Sequence, residues 1–271
     1  MNWAGLRRRD GRCGAALLGA CALCACGGGV PLLHPAHVLN AGQTSFGAGM
    51  SDRLLLGSEQ RALGDAQRRA PGAPLPAGDP AYTRGVLVAV AEGPALAPWA
   101  SARVGIPGSN EAGLSFTGQA LRLDARHAFQ SQNSAWSVGL GLTDRGFGQS
   151  ALELPGTDLK HPGGVGLDLP LLFGYHTDAE LISIWAGARA AYDHWSGAVT
   201  LDAAAPFELS AARLSAGPVL GLAVGLPPLW VAAEVEVDYS HVTGTLGRSA
   251  SELDARFDGW SVRPAGALIV K

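Results

Sequence analysis

The chain has 271 residues, of which 38 are glycine, 47% are hydrophobic and only 16% carry charge. Its 20 basic and 23 acidic side chains give a net charge of −3, which excludes the polycationic footprint of a nucleic-acid binder. All four cysteines (Cys13, Cys21, Cys24, Cys26) lie at the amino end, and no 18-residue apolar run exists for a spanning helix, so disulfide scaffolds, cysteine catalysis and helical membrane spans are all excluded beyond residue 26.

Arg7, Arg8, Arg9 and Arg12 precede a short apolar stretch from Cys13 to Ala25, the layout of a secretory signal. The end of that stretch, Leu23-Cys24-Ala25-Cys26, resembles the lipobox of bacterial lipoproteins. The resemblance implies a signal peptide over 1–25 and acylation of Cys26; Leu18-Gly19-Ala20-Cys21 fits the same pattern and makes Cys21 the alternative. Residues 26–41, with three consecutive glycines, Pro31 and Pro35, read as a flexible tether. His34 and His37 within it are expected to be solvated rather than to hold a metal.

From residue 42 onward, apolar side chains recur at every second position, the period of strands with one apolar face. The first segment, 43–51, has Thr44, Phe46, Ala48 and Met50 on one face. Shorter echoes follow at 85–92 and 97–106. In 112–127, Leu121, Leu123 and Ala125 oppose Arg122, Asp124 and Arg126, with a phase slip that predicts a bulge at Gly118. Further segments are 135–143, 165–175, 182–193, 213–226, 230–240 and 260–270, which makes ten. Short links (Gly93–Leu96, Gln130–Asn133, His176–Ala179, Pro227–Pro228) alternate with sides carrying long ones at 57–84, 144–163 and 245–257. Residues 58–69 of the first long link can form a short helix. Trp99, Trp136, Tyr175 and Trp230 fall beside predicted short turns, and Tyr192, Trp195, Tyr239 and Trp260 near long ones, which predicts an aromatic girdle at each rim.

The segments Gly42–Met50, Leu214–Trp230 and Trp260–Val270 resemble the small outer-membrane β-barrel proteins of Gram-negative bacteria. The resemblance implies an all-β fold: an antiparallel up-and-down transmembrane β-barrel of about 10 strands (roughly 8–12) over residues 42–271, after the signal peptide and the tether. It implies a bacterial cell outer membrane location, with the N-terminus lipid-anchored on the periplasmic side. Outer-membrane lipid, lipopolysaccharide and the barrel assembly machinery would be its partners. No nucleic acid and no cofactor are expected, and the oligomeric state is open. One departure is the closing Ile269-Val270-Lys271, where such proteins usually end in an aromatic residue.

With apolar faces toward lipid, the opposite faces converge in the lumen. They bring together Arg103, Arg122, Arg126, Arg189, Arg213 and Arg263 with Asp124, Asp168, Asp193, Glu234, Glu236 and Asp238. Six against six leaves few buried charges unpaired, as burial requires, and ten strands enclose little room beyond their own side chains. The expectation is a structural or interaction protein with a side-chain-filled lumen. Two alternatives stay open at this point: a narrow pore or carrier for small solutes, and a periplasmic β-barrel lipoprotein with the apolar faces turned inward around an apolar ligand. An enzyme is not expected; the candidates for a rim-located hydrolase are Asp193 with His194 and Asp238 with His241.

Overall fold

A computed structural model describes residues 29–68, 80–93, 96–146, 157–178, 180–201, 207–248 and 251–271. Its strands are β1 (Thr44–Ser51), β2 (Leu54–Leu56), β3 (Ala97–Ile106), β4 (Asn110–Phe116), β5 (Leu121–Gln130), β6 (Ser134–Asp144), β7 (Thr157–His176), β8 (Ile182–Leu201), β9 (Phe207–Leu226), β10 (Leu229–Arg248) and β11 (Ser251–Val270). Two helices, α1 (Ser58–Gln67) and α2 (Pro80–Glu92), lie between β2 and β3. Each strand from β3 to β11 pairs antiparallel with the next, and β1 pairs with both β3 and β11, from Phe46↔Val270 to Ser51↔Ala265. The result is a closed antiparallel barrel of ten strands. After Asp52 and Arg53, β2 resumes the course of β1 along β11, with Leu56 opposite Trp260.

The strand count of ten survives two local misreadings that cancel. Residues 85–92 form most of α2 rather than a strand. Val86, Leu87 and Val88 are fully buried there, so the helix is apolar on several sides and its run reads equally well with a period of two. Residues 112–127 hold parts of two strands instead of one bulged strand. Gly118, at φ +74°, turns the chain back between β4 and β5, and the Thr117 amide donates to the Ala120 carbonyl at 3.0 Å. Because α2 is not a strand, β3 runs opposite to expectation: Ala97 pairs with Ser51, and the tight link Pro107–Ser109 falls at the end where β1 begins.

Alternation along the strands is regular, and it settles which side is which. On β9, Leu214 is 59% exposed while its neighbour Arg213 is 1% exposed. Leu167, Leu169 and Leu171 of β7, Leu220 and Leu222 of β9, and Val231 of β10 likewise face outward. The inward-apolar alternative is therefore overturned: the apolar band is on the outside and the charges are on the inside. The band runs from Leu214 to Leu226 on β9 and from Leu229 to Tyr239 on β10, a height of roughly 25–30 Å for tilted strands.

The barrel is lopsided. β1 and β3–β6 have 7–11 residues each, whereas β7–β11 have 20 each. Above the band the taller strands invert their pattern. Outward positions become polar (Glu208, Ser210, His241, Asp254, Asp258), and inward positions become apolar (Leu209, Ala211, Val242, Leu246, Phe257). That inner surface packs against Leu63, Ala66, Val86 and Leu87 of the α1–α2 hairpin to form one core. A second core lies in the lower lumen, where Leu32, Leu33 and Ala36 meet Trp99, Leu172, Trp185, Val219 and Trp230.

Candidate functional site

The lumen is filled by the chain itself. Residues 29–39, expected to be a flexible tether, lie inside the barrel, and Val30, Leu32, Leu33, His34 and Ala36 are all buried. The wall holds this segment by its backbone. Glu234 accepts from the amides of Leu32 at 2.7 Å and Leu33 at 2.9 Å. Gln130 accepts from Val38 at 3.2 Å and Glu111 from Leu39 at 2.9 Å. Ser51 donates to the Gly29 carbonyl at 3.0 Å and Arg189 to that of Val30 at 2.7 Å. Arg126 donates to the carbonyls of Pro35 and His37. Pro31 and Pro35 fix φ at their own positions, while Leu33, at φ +48°, and a bend at 36–37 turn the segment within the lumen.

Around it runs an unbroken alternation of charge: Arg126, Glu111, Arg103, Asp124, Arg122, Asp168, Arg189, Glu236, Arg263, Asp238. Asp168 is the keystone, accepting from Arg122 at 2.8 and 2.9 Å and from Arg189 at 3.1 Å. A second cluster sits higher. Asp193 takes Arg213 at 2.6 Å and Arg145 at 2.8 Å, and Glu92 at the end of α2 takes Arg213 and Arg53, both at 3.0 Å. Each carboxylate is surrounded by guanidinium donors, which is how ions persist in a dry interior. Glu59 of α1 is different: it accepts from Ser240 at 3.0 Å and has no arginine against it among the described residues. Burial, then the nearby Glu92, push its carboxyl up to about 8.

All twelve residues singled out for the lumen are buried there. Nine belong to the continuous alternation, Asp193 and Arg213 belong to the upper cluster, and Glu234 is bound to backbone amides and to the Trp185 indole at 3.0 Å. The sequence reading missed Glu111, Arg53, Glu92 and Arg145. Glu111 shares the inward parity of Ser115 on β4, a signal hidden when 112–127 is read as one strand. Arg53 and Arg145 lie outside the alternating segments, and Glu92 closes the 85–92 segment that is helical instead of a strand, so its lumen position carried no strand-parity signal.

Five of the eight girdle aromatics (Trp136, Tyr175, Tyr192, Tyr239, Trp260) face outward. Trp99, Trp195 and Trp230 instead face the lumen and are buried. Parity is the reason: Trp99 shares a face with Arg103, Trp195 with Asp193, and Trp230 with Glu234. The Trp195 ring packs between Arg213 and Arg145, whose guanidinium carbons lie 5.4 and 5.7 Å from its centre.

The hydrolase dyads are not assembled. Asp193 points inward and its strand neighbour His194 points the other way; Asp238 is buried against Ser261 and Arg263. His241 pairs with Asp258, at 2.6 Å, on the outer surface. Among the described residues no group of three or more His, Cys, Asp or Glu is arranged to hold a metal. His34 and His37 are not solvated. The Nδ1 of His34 accepts from Arg126 at 2.7 Å, and its imidazole is held well below the usual range by burial and by Arg126, Arg103 and Arg122. His37 packs against His176 with ring centres 4.1 Å apart and planes tilted by 60°, and burial, then His176, lower it to about 4. Cys21 and Cys26 lie outside the described residues.

These features define a closed antiparallel barrel, apolar outside and charged inside, stoppered by its own chain. No known protein family matches the chain, and neither does any curated protein sequence. Similar solved structures include Neisserial surface protein A (10% identity, 84% of this chain and 96% of that one, TM-score 0.36). The attachment invasion locus protein Ail of Yersinia pestis is another (13% identity, 84% and 99%, TM-score 0.32). A third is a major outer membrane protein of Thermus thermophilus (10% identity, 84% and 99%, TM-score 0.35).

Proposed function

We propose that this protein spans the bacterial outer membrane as a structural or interaction barrel with a closed lumen. The carrying observation is that residues 29–39 stopper the lower lumen while the α1–α2 hairpin fills the upper. An apolar outer band of membrane height, flanked by outward aromatics, supports the membrane location. The inverted polarity above the band supports an aqueous outer side for the tall strands, with the start of β1 and the end of β11 toward the periplasm. Membrane fractionation with boiled and unboiled gel migration tests the first part; recovery in the soluble periplasm without a heat shift would overturn it. Planar-bilayer recording tests the second: the wild-type barrel is expected to insert without steady conductance steps, and regular steps would favour the narrow pore.

The lipid anchor is constrained by the seated segment. Gly29 is bonded to Ser51, which pairs with Ala265, five residues above Val270 at the lower rim. That is a depth of about 13 Å along tilted strands, whereas three residues from Gly29 reach at most about 10 Å. Cys26 therefore has little slack to place its acyl chains in the periplasmic leaflet while the stopper is seated, whereas Cys21, eight residues away, has a reach of about 26 Å. We infer that acylation, where it occurs on the stoppered form, is at Cys21. Mass spectrometry of the mature amino terminus checks this. Acyl-Cys26 on a barrel whose residues 29–39 are still protected would overturn it.

A further inference from the structure

The polar recognition of the stopper runs mainly through its main chain. Four of its amides (Leu32, Leu33, Val38, Leu39) and four of its carbonyls (Gly29, Val30, Pro35, His37) are bonded by side chains of the wall. The bonded amides avoid positions 31 and 35, where proline has none to give. Side-chain recognition adds an apolar subsite of Trp99, Leu172, Trp185 and Trp230 that takes Leu32, Leu33 and Ala36, the Arg126 bond to His34 Nδ1, and the contact of His37 with His176.

Glu234 shows that this half of the lumen is built for an occupant. It is 4% exposed, and no arginine pairs with it among the described residues; its oxygens are taken by two stopper amides and one indole. An empty lumen would leave this carboxylate with the indole alone, a costly arrangement for a buried acid. Access exists from below. A cavity of about 340 Å³ at the lower mouth is lined by His34, His37, Gln130, His176 and Lys271, so it runs alongside the seated segment.

We propose that the lower lumen is a binding site for a proline-bearing apolar polypeptide segment, occupied here in cis by residues 29–39 and open to exchange with a second such segment in trans. This rests on the filled-lumen reading and adds that the filler is a ligand. Backbone recognition makes the site tolerant of sequence, and the unpaired Glu234 makes exchange a replacement rather than an opening.

The test uses the full chain in lipid discs and a fluorescent peptide of residues 29–42. In one preparation, Leu32→Asp with Leu33→Asp places two carboxylates against Glu234 and unseats the native stopper. In the other, a protease site introduced at the exposed turn Ala41–Gly42 is cut after folding, so the native segment becomes free to leave. Both preparations are expected to bind the peptide saturably. The intact wild type should bind it at least about 100-fold more weakly, because the tethered segment competes at millimolar effective concentration. Adding Glu234→Gln should weaken uptake about tenfold. Folded barrels, shown by heat-shifted migration, that take up no peptide in either preparation would overturn the exchange. A conducting wild type would overturn the filled lumen itself, so the two failures are distinguishable.

Discussion

The short wall, β1 to β6, and the tall wall, β7 to β11, solve one problem to different heights. Both present apolar side chains outward over the same band, for example Leu123, Leu140 and Leu142 on the short side and Leu169, Leu220 and Val231 on the tall side. Only the tall wall continues, and there the rule reverses: Leu209, Val242 and Phe257 turn inward and Glu208, Asp254 and Asp258 turn outward. A strand therefore answers to its surroundings and not to a fixed pattern. Over the band the apolar face goes out and charges pair within; above it the apolar face goes in and needs a core to cover, which the α1–α2 hairpin supplies.

Asp168 ties the two walls together, joining Arg122 of β5 to Arg189 of β8. Asp168→Ala is therefore expected to have the largest effect. It strips a shared partner from two buried guanidiniums and should lower stability by about 3–5 kcal/mol, read by urea unfolding of the heat-modifiable form. Next is Leu87→Ala, in the hairpin core, which should cost about 2–5 kcal/mol. Its loss should fall on the projection: limited proteolysis is expected to cut α1–α2 and the upper strands while the band stays protected. Equal loss in both regions would show that the walls do not unfold separately.

The stopper offers a pH test. Free imidazoles titrate near 6.5, whereas seated His37 titrates at about 4 and seated His34 also well below its free value. Protons thus favour the unseated form: seating is strongest above pH 6.5 and weakens as pH falls toward 4. Hydrogen exchange in residues 29–42, corrected for intrinsic rates, is expected to accelerate over that window and to lose the effect in His34→Gln/His37→Gln. The smallest change is expected from Trp136→Ala. It removes one ring of a pair, 5.0 Å from Phe173 across the β6–β7 seam, and should cost about 1 kcal/mol.

The polarity reversal also explains what was legible. Sequence alternation stops at 165, 193, 213, 240 and 260, while the strands run on to 157, 201, 207, 248 and 251. A fixed-phase pattern detects the outward apolar band and loses the strand where the pattern inverts, as between Ala211 and Leu214 on β9. The twelve lumen charges lay within that phase, so their common face could be read directly. The inward tryptophans Trp99, Trp195 and Trp230 were misassigned because nearness to a turn was given more weight than parity. The lumen position of residues 29–39 had no local signature at all. Prolines and glycines describe an extended chain equally well whether water or a barrel wall satisfies its backbone.

The sequence by itself determined the antiparallel barrel architecture and the balance of charge on one face, whereas the count of ten held only because a helix read as a strand offset two strands read as one. The first two follow from a two-residue period and from the cost of burying an unpaired ion, both local rules. Only the tertiary structure decided which arginine meets which carboxylate, that α2 is a helix, and that the amino-terminal segment is the lumen's filling. Each of these depends on contacts between residues far apart in the chain: Leu32 with Glu234, Arg213 with Glu92, Leu87 with Gly244. Such pairings are set when the sheet closes and distant side chains compete for the same small interior.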